Sequence, residues 1–569
     1  MPGKGPQPLA LAPDAPNPLP RLRSSSSSSS SPLEWIPVVQ LDLECSSKHF
    51  HLALADLALE PQHSSSTILR ADIIDDHLDP LAQAPAVVPL EGYACLRRIR
   101  RRILPNRPQF DWAMEQECLF YARNLDPAAN DDADDDDDRE ALVLLLPDFD
   151  QLRQEDDQGR LPYYHPQVHA LAFRYFPSST SSASSLRIDL VPLPARPPVV
   201  APLPPSDRLY RTALALVKFA AKLCVGHADG WQKRVHHDLL VGKEDVQDLY
   251  QQLKDKYNTD LLAHSPRITF RWMLSAWRES TDATKHVFED VAIAAWLIIL
   301  WRGMYLESNG KPPGGFVDVG CGNGLLVFIL HAEGYSGYGF DLRARKSWSA
   351  YSPAPDLRVS SILPPSLVAT YLSTSTPPFP PGAFLIGNHA DELTPWLPLL
   401  AACTPGSAFL NIPCCLHELH GRFDRQAYSI PAAYLSALPS PPPPPAAAPS
   451  SSTDSPSPHP LLLPFYAPTP LTQSSTSTGP SITGGRYAVY QLYLAHLSLR
   501  CGFVPEREAL RIPSTKNFGM VGRTRLYEVG DEEGERRVRD ELEGVLREVE
   551  RRGEWVARRP EGKAGEKDH

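Results

Sequence analysis

The arrangement of apolar and polar positions is most regular in residues 316–348, where two short apolar runs flank a glycine-rich turn and a longer apolar segment. Phe316 and Val317 begin the first run, and residues 338–340 form the second; both have the length of buried strands. Residues 325–331 follow the glycines without a break and predict a helix. The segment therefore predicts a strand–turn–helix–strand unit whose second strand ends at Asp341.

The rest of the chain divides by the period of its apolar positions. Residues 34–205 contain several alternating runs, which predict an N-terminal accessory domain of mixed α/β structure. Residues 206–310 repeat apolar positions every three or four residues and predict a helical segment. In residues 311–530 strands and helices alternate, which is typical of a parallel sheet covered by helices. The expected fold class is α/β.

Composition changes sharply in four places. Residues 1–33 and 439–481 are rich in proline and serine, and predict a disordered tail and a disordered insertion. Residues near 128–139 are strongly acidic and predict a loop. Residues 531–569 carry many charges and only a thin apolar stripe, which predicts a charged C-terminal helix and tail.

The net charge of −11 argues at first against a nucleic-acid partner, but much of the acid lies in the acidic loop, around residues 156–157 and in residues 531–535. A basic stretch at residues 97–102 is more typical of a solvated face than of an RNA-binding surface. The nine cysteines include no C-x-x-C pair, which predicts a reduced, cytoplasmic protein. The longest strongly apolar run, residues 291–301, is too short to span a bilayer, so we expect no membrane partner.

The glycine-rich turn has the pattern D-x-G-x-G-x-G, because position 325 is Leu where a dinucleotide fingerprint requires Gly. Asp341 stands 21 residues after Gly320, where an acid can accept hydrogen bonds from both ribose hydroxyls. The pattern resembles the first motif of class I S-adenosylmethionine methyltransferases, which have a Rossmann-like fold. The resemblance implies S-adenosyl-L-methionine as cofactor, bound by Asp318, Gly320, Cys321, Gly322, Asn323, Gly324 and Asp341.

Other blocks are similar to the tRNA (uracil-2′-O-)-methyltransferases that modify position 44 of serine tRNA. The most specific are FEDVAIAA (288–295), DLRARKSW (341–348) and IPSTKN (512–517). They are accompanied by RRILPNRPQFD (101–111), LPYYHPQVHALAFRY (161–175), GNHADELTPWLP (387–398) and NIPCC (411–415). The resemblance implies 2′-O-methylation of a tRNA ribose, with serine tRNA as the partner and its uridine 44 as the target.

The resemblance also implies roles for polar residues around the cofactor motif. Asn388 and the candidate catalytic residues His389, Asp391 and Glu392 follow the strand that lines the reaction cleft in this fold. The N-P-P-Y or D-P-P-Y found there in amino methylases is absent, which agrees with a hydroxyl acceptor. The candidate phosphate-binding residues are Arg343, Arg345, Lys346, Lys516 and Arg523.

Two further groups of residues have the composition of a ligand-binding site but lack the sequence context that such a site requires. Cysteines 414 and 415 and histidines 417 and 420 suggest zinc, but adjacent cysteines seldom both reach one metal, so we predict no metal site. The aromatic residues 163–165 suggest stacking on RNA bases, but their position before a proline is more typical of a core edge.

Two other functions fit the same motifs. One is methylation of a different acceptor, an RNA base or a protein side chain, on the same fold. The other is a catalytically silent scaffold that binds tRNA. The complete set of acid and glycine positions in the turn argues against the scaffold, because a silent protein has no need of it.

Overall fold

A computed structural model gives the structure of part of the chain. It describes residues 9–10, 35–78, 90, 92–108, 110–124, 138–156, 158–178, 183–193, 202–231, 237–256, 277, 279, 281–438, 471–472, 478–483, 485–528, 530–553 and 555. Most of the predicted tail, acidic loop and insertion lies outside these residues. The chain forms two compact units, Met1–Gln232 and Lys233–His569. Among the described helices, none is both long and apolar enough to cross a membrane.

The first unit is an eight-stranded antiparallel sheet with helices packed on it. Its strands are β1 (Leu9–Ala10), β2 (Ile36–Asp42), β3 (Ile68–Leu78), β4 (Tyr93–Pro105), β5 (Met114–Arg123), β6 (Ala141–Pro147), β7 (Val168–Phe176) and β8 (Ser185–Pro192). Its helices are α1 (Ser47–Leu59), α2 (Phe149–Glu155) and α3 (Arg208–Ala228). The sheet order is β1-β2-β8-β7-β6-β5-β4-β3. Helices α1 and α3 bury their apolar stripes in one core with residues of β2, β5, β6, β7 and β8.

Two features of this unit differ from the sequence-based division. Helix α3 belongs to the first unit, although residues 206–310 were assigned to one helical segment. Its stripe, which includes Ala213, Val217 and Cys224, is buried against the sheet, and the period of a helix does not reveal which sheet covers it. Leu9–Ala10 pairs with Val39 and Gln40 of β2, so this part of the predicted disordered tail is a strand.

The basic stretch lies on β4 and is neutralised within the sheet. Four of its arginines pair with carboxylates on β3, β5 and α2: Arg97 with Asp76, Arg98 with Asp75 and Glu117, Arg100 with Glu115, and Arg102 with Glu155. Arg101 is buried and donates to the Gln116 side chain at 3.1 Å. These pairs leave the stretch little net charge for a phosphate backbone, in agreement with the preferred interpretation of a solvated face.

The second unit begins with helices and continues as an alternating α/β domain. Its main strands are β9 (Phe316–Val319), β10 (Gly337–Asp341), β11 (Leu357–Val359), β12 (Phe384–Asn388) and β13 (Ala408–Ile412). The strands that follow are β14 (His417–Glu418), β15 (Gly421–Arg422), β16 (Ala427–Pro431), β17 (Leu471–Thr472), β18 (Thr478–Thr483), β19 (Phe503–Ala509) and β20 (Phe518–Arg525). The helices are α4 (Lys243–Lys256), α5 (Ala283–Met304), α6 (Leu325–Ala332), α7 (Pro364–Thr374), α8 (Leu397–Ala402), α9 (Ala432–Leu435), α10 (Arg486–Arg500) and α11 (Glu532–Arg552).

Seven strands form one sheet in the order β11-β10-β9-β12-β13-β20-β19. The first five are parallel, and β20 is antiparallel to both of its neighbours. Residues of each central strand alternate between two cores. Phe316, Phe384 and Leu410 face α4, α5 and α6, whereas Val317 and Leu385 face α7, α8, α10 and α11. The predicted α/β class is confirmed as a sheet covered by helices on both faces.

Helix α5 is buried around most of its circumference, because its apolar residues occupy every face rather than one stripe. Glu289 and Asp290 are its buried acidic residues. The C-terminal helix α11 buries Leu542, Val545 and Val549 in the domain core. Part of the predicted insertion is also ordered, because β17 and β18 form a three-stranded sheet with β16.

Candidate active site

A cavity of about 550 Å³ opens where β9, β10 and β12 end. Strand β9 is followed in the chain by β10, which is its neighbour on one side, and its neighbour on the other side is β12. The order of the strands therefore reverses at β9. Ligands of open α/β sheets bind in the crevice at such a reversal, outside the carboxyl ends of the strands. The position of the cavity follows from the topology.

The glycine-rich turn forms one wall of the cavity. Gly320, Gly322 and Gly324 have φ angles of +76°, +52° and +77°, a region that side chains with a Cβ rarely adopt. The amides of Gly320 and Cys321 donate to the Phe340 carbonyl, which ties the turn to β10. A Cβ on Gly324 would lie 2.6 Å from a methyl of Leu357, so this glycine is also required by packing. The backbone of the turn is therefore fixed close to the cavity.

Asp341 ends β10 and faces the same cavity. Its Oδ2 accepts a hydrogen bond from the Gly322 amide at 3.0 Å, and its Oδ1 lies 3.5 Å from an Arg345 guanidinium nitrogen. These two contacts hold the carboxylate between the turn and the segment after β10. This is the position predicted for an acid that accepts hydrogen bonds from a ribose.

Asp318 lies on β9 below the turn and is almost fully buried. Its Oδ1 has no hydrogen-bond partner among the described residues. Burial raises the pKa of Asp318 well above its ordinary value, and the charges of Asp290 and Asp341 add to the effect. A buried carboxyl without a partner fits a cationic group of a ligand, such as the ammonium of a methionine, so these residues fit S-adenosylmethionine.

Asp290 of α5 connects the two sides of the cavity. Its Oδ2 accepts from the Asn323 side chain in the turn, and its Oδ1 accepts from the Asn388 side chain at the end of β12, both at 3.4 Å. Burial and the nearby charge of Glu289 raise the pKa of Asp290 to about 7. The sequence interpretation did not include this residue in the site.

Glu289 is hydrogen-bonded to His389 in the wall of the cavity. Its Oε1 lies 3.0 Å from His389 Nε2, and its side chain is only 5% exposed. Burial opposes ionisation, but the hydrogen bond and charge of His389 outweigh it, so the pKa of Glu289 lies below its ordinary value. His389 has a φ of 56°, and its Nδ1 has no partner among the described residues. A histidine held through Nε2 presents Nδ1 as a proton acceptor.

The two other candidate catalytic residues also line the cavity, but they differ in their surroundings. Asp391 has a φ of 44° and lies against Cys414, whose Sγ is 3.4 Å from its Oδ1. Asp391, Cys414 and Cys415 are close enough to share one metal ion. Glu392 follows Asp391 on the cavity wall. The structure thus brings together all of the predicted cofactor-binding and catalytic positions except Gly324, which packs just outside the lining residues.

The candidate phosphate-binding residues are more dispersed. Arg343 and Arg345 line the cavity, and Lys346 is exposed beside them. Lys516 lies two residues before β20, at the end of the sheet where β13 finishes, and its Nζ is 4.0 Å from the centre of the Tyr487 ring. Arg523 follows Gly522, which pairs with Phe409 near the start of β13, and it therefore lies at the opposite end of the sheet. Its guanidinium forms a bidentate pair with Glu506.

The three aromatic residues 163–165 differ in their exposure to solvent. Tyr164 donates to two backbone carbonyls, and His165 is buried, with burial lowering its pKa to about 4. Tyr163 is 71% exposed and is covered on one face by Arg208 at 4.4 Å. Two of the three residues therefore serve the core edge, as expected.

Glu289 and Asp290 are the functional candidates that the sequence interpretation missed. A signal was present, because two adjacent acids interrupt an apolar segment that is otherwise buried on every side. Charged groups are seldom fully buried without a partner, so a pair of them in such a helix indicates a polar site nearby.

Two family models match the chain. The model described as "TRM44-like, N-terminal bet v1-like domain" matches residues 13–234, and the model described as "Predicted AdoMet-dependent methyltransferase" matches residues 240–362. The boundary between the two matches lies close to the boundary between the two structural units. No solved structure matches the chain.

Curated relatives cover most of the chain. Proteins named tRNA (uracil-O(2)-)-methyltransferase are 33% identical in Neurospora crassa and 34% identical in Schizosaccharomyces pombe. The Neurospora match covers 87% of this chain and 88% of that protein, and the Schizosaccharomyces match covers 87% and 86%. A relative of the same name in Yarrowia lipolytica is 30% identical over 87% of this chain and 90% of its own length. The resemblance inferred from the sequence is confirmed: the chain belongs to the tRNA (uracil-O(2)-)-methyltransferase family.

Proposed function

We propose that this protein transfers a methyl group from S-adenosylmethionine to the ribose 2′-oxygen of a uridine in tRNA, and that the target is uridine 44 of serine tRNA. The names of its relatives support the reaction, and the resemblance in sequence blocks supports the position. The observation that carries the proposal is the cavity itself. It combines Asp341, suited to a ribose, with a half-buried His389 whose Nδ1 has no hydrogen-bond partner among the described residues.

The cofactor is held by groups from β9, from the glycine turn that follows β9 and from β10. Asp341 accepts hydrogen bonds from the ribose hydroxyls, Asp318 faces the methionine ammonium, and the glycine turn allows the backbone to approach closely. Bound S-adenosylmethionine would supply a methyl group from its sulfonium, and the neutral thioether that leaves needs no acid. The protein must therefore align the acceptor hydroxyl and remove its proton.

His389 removes that proton in this proposal. As the 2′-oxygen bonds to the methyl carbon, the carbon–sulfur bond would break with its electron pair left on sulfur. The hydroxyl proton would move to His389 Nδ1, and Glu289 would stabilise the imidazolium that results. The carboxylate also fixes the proton of the neutral ring on Nε2, so that Nδ1 keeps its lone pair.

The tRNA backbone is held at the exposed cations near the cavity. Arg343 and Lys346 are exposed after β10, and Lys516 is at the same end of the sheet. We do not assign this role to Arg523, because it lies at the opposite end of the sheet and pairs with Glu506. We also propose a cytoplasmic location, because all nine cysteines are free thiols, as a reducing compartment allows.

The test uses serine tRNA transcribed in vitro and labelled S-adenosylmethionine. A matched tRNA with 2′-deoxyuridine at position 44 lacks only the acceptor hydroxyl. We expect label at position 44 of the first tRNA and none in the second. Label that persists in the deoxyuridine tRNA would indicate a base acceptor. Cofactor binding without transfer to any tRNA would instead support the silent scaffold.

A further inference from the structure

Three side chains of metal-binding type meet beside the cavity. Cys414 and Cys415 follow β13, and Asp391 follows the neighbouring parallel strand β12. Cys414 Sγ lies 3.4 Å from Asp391 Oδ1 and 3.5 Å from Cys415 Sγ, and one ligand atom from each residue lies within 4.8 Å of the others. The residue Cys415 is exposed, so the group is open to solvent on one side.

Two of the three separations are close to those around a tetrahedral zinc ion, and the third lies within 4.8 Å. With Zn–S of about 2.3 Å and Zn–O of about 2.0 Å, tetrahedral angles place two sulfurs about 3.8 Å apart and a sulfur and an oxygen about 3.5 Å apart. The observed distances of 3.5 Å and 3.4 Å differ from these values by a few tenths of an ångström. A disulfide would instead require sulfurs about 2.05 Å apart.

The sequence spacing hides this group because its third member comes from another strand. Asp391 is 23 residues before Cys414, yet the ends of two parallel neighbouring strands lie side by side. The left-handed φ of 44° at Asp391 is unfavourable for a residue with a Cβ, and such backbone is concentrated at functional sites. This conformation is the second sign that the carboxylate is placed for a purpose.

We propose that Asp391, Cys414 and Cys415 bind a zinc ion with a fourth position open to solvent. Two thiolates and one carboxylate favour zinc over magnesium or calcium, which prefer oxygen ligands. Within the described part of the chain no fourth ligand joins the group. The ion would link the segment after β13 to the segment after β12, which carries His389, and so hold that histidine in position. This goes beyond the methyl-transfer proposal and does not depend on the identity of the acceptor.

The experiment measures zinc in the full-length protein. Protein purified under reducing conditions is dialysed with zinc and then against a weak chelator, and its metal content is determined by mass spectrometry. We expect about one zinc per chain, as for a three-ligand site. Cys414→Ser, Cys415→Ser and Asp391→Asn should each lose the ion. Cys45→Ser, which changes a half-buried cysteine of the first unit, is the matched control and should retain it.

Two further readouts make the result independent of folding and of activity. Calorimetric binding of S-adenosylmethionine by each variant establishes that the second unit is folded. Zinc should protect Cys414 and Cys415, but not Cys45, from alkylation. Absence of zinc from the wild-type protein, or retention of zinc by the exposed-position variant Cys415→Ser, would overturn the proposal. So would an intact mass two hydrogens lower that disappears on reduction, because it indicates a disulfide between the adjacent thiols.

Discussion

The hydrogen bond between Glu289 and His389 leads to a quantitative prediction for catalysis. A charge-assisted hydrogen bond contributes about 1.5–3 kcal/mol and a neutral one about 0.5–1.5 kcal/mol. Glu289→Gln keeps an acceptor oxygen but removes the charge, a difference of about 1–1.5 kcal/mol in stabilising the imidazolium. The rate of methyl transfer should therefore fall roughly five- to thirteenfold. Glu289→Ala removes the bond as well and should lower the rate by up to roughly 150-fold.

The assay is single-turnover methyl transfer with saturating tRNA and cofactor, because it isolates the proton-transfer step from product release. Glu307→Gln is the matched control, since it removes the same charge from an exposed position just beyond the end of α5. Cofactor affinity should be unchanged in all of these variants. Wild-type rates in both Glu289 variants would refute the role of the pair. A lower rate together with a lower melting temperature, at an unchanged pH profile of the rate, would indicate that Glu289 stabilises the fold and does not act in catalysis.

Three further predictions concern binding and stability. Asp341→Ala should weaken S-adenosylmethionine binding at least about tenfold, because a charge-assisted contact is lost; equal affinities by calorimetry would contradict the pocket assignment. The pKa of Asp290 is raised to about 7 in the folded protein, so its protonated form favours folding at low pH. Its contribution should be lost as pH rises from about 4 to 7, and melting temperatures of Asp290→Asn over this range should show a weaker pH dependence. Lys346→Ala should weaken tRNA binding and lower its salt dependence by about one unit of slope, whereas Arg523→Ala should leave both unchanged; the reverse order in filter binding would move the RNA surface to the other end of the sheet.

The cofactor half of the site could be predicted from the sequence because its residues are close together in the chain. The turn and Asp341 fall within one strand–turn–helix–strand unit, and local sterics and spacing define their geometry. The catalytic half depends on contacts between distant segments. Glu289 and His389 are 100 residues apart, and no periodicity relates a buried helix to a loop after another strand.

The same limit explains the other differences. An amphipathic period shows that α3 has an apolar stripe, but not that β2 and β8 cover it. Arg523 was grouped with Lys516 because the two are near in sequence. They lie at opposite ends of the sheet because β20 runs between them, and the composition of β20 does not show that it is antiparallel to β13. Metal-ligand spacing considers one segment at a time, so it did not show that Asp391 lies beside Cys414 and Cys415.

The concentration of carboxyl groups around the cavity has a thermodynamic consequence. Asp290 and Asp318 both have raised pKa values, so near neutral pH the empty cavity holds protons that free carboxyl groups would have released. A cation that enters the cavity favours the ionised forms, and its binding is therefore accompanied by proton release to the solvent. The heat of cofactor binding should then depend on the ionisation enthalpy of the buffer. The apparent affinity for the cofactor should rise with pH, because binding of the cationic cofactor displaces protons from these carboxyl groups.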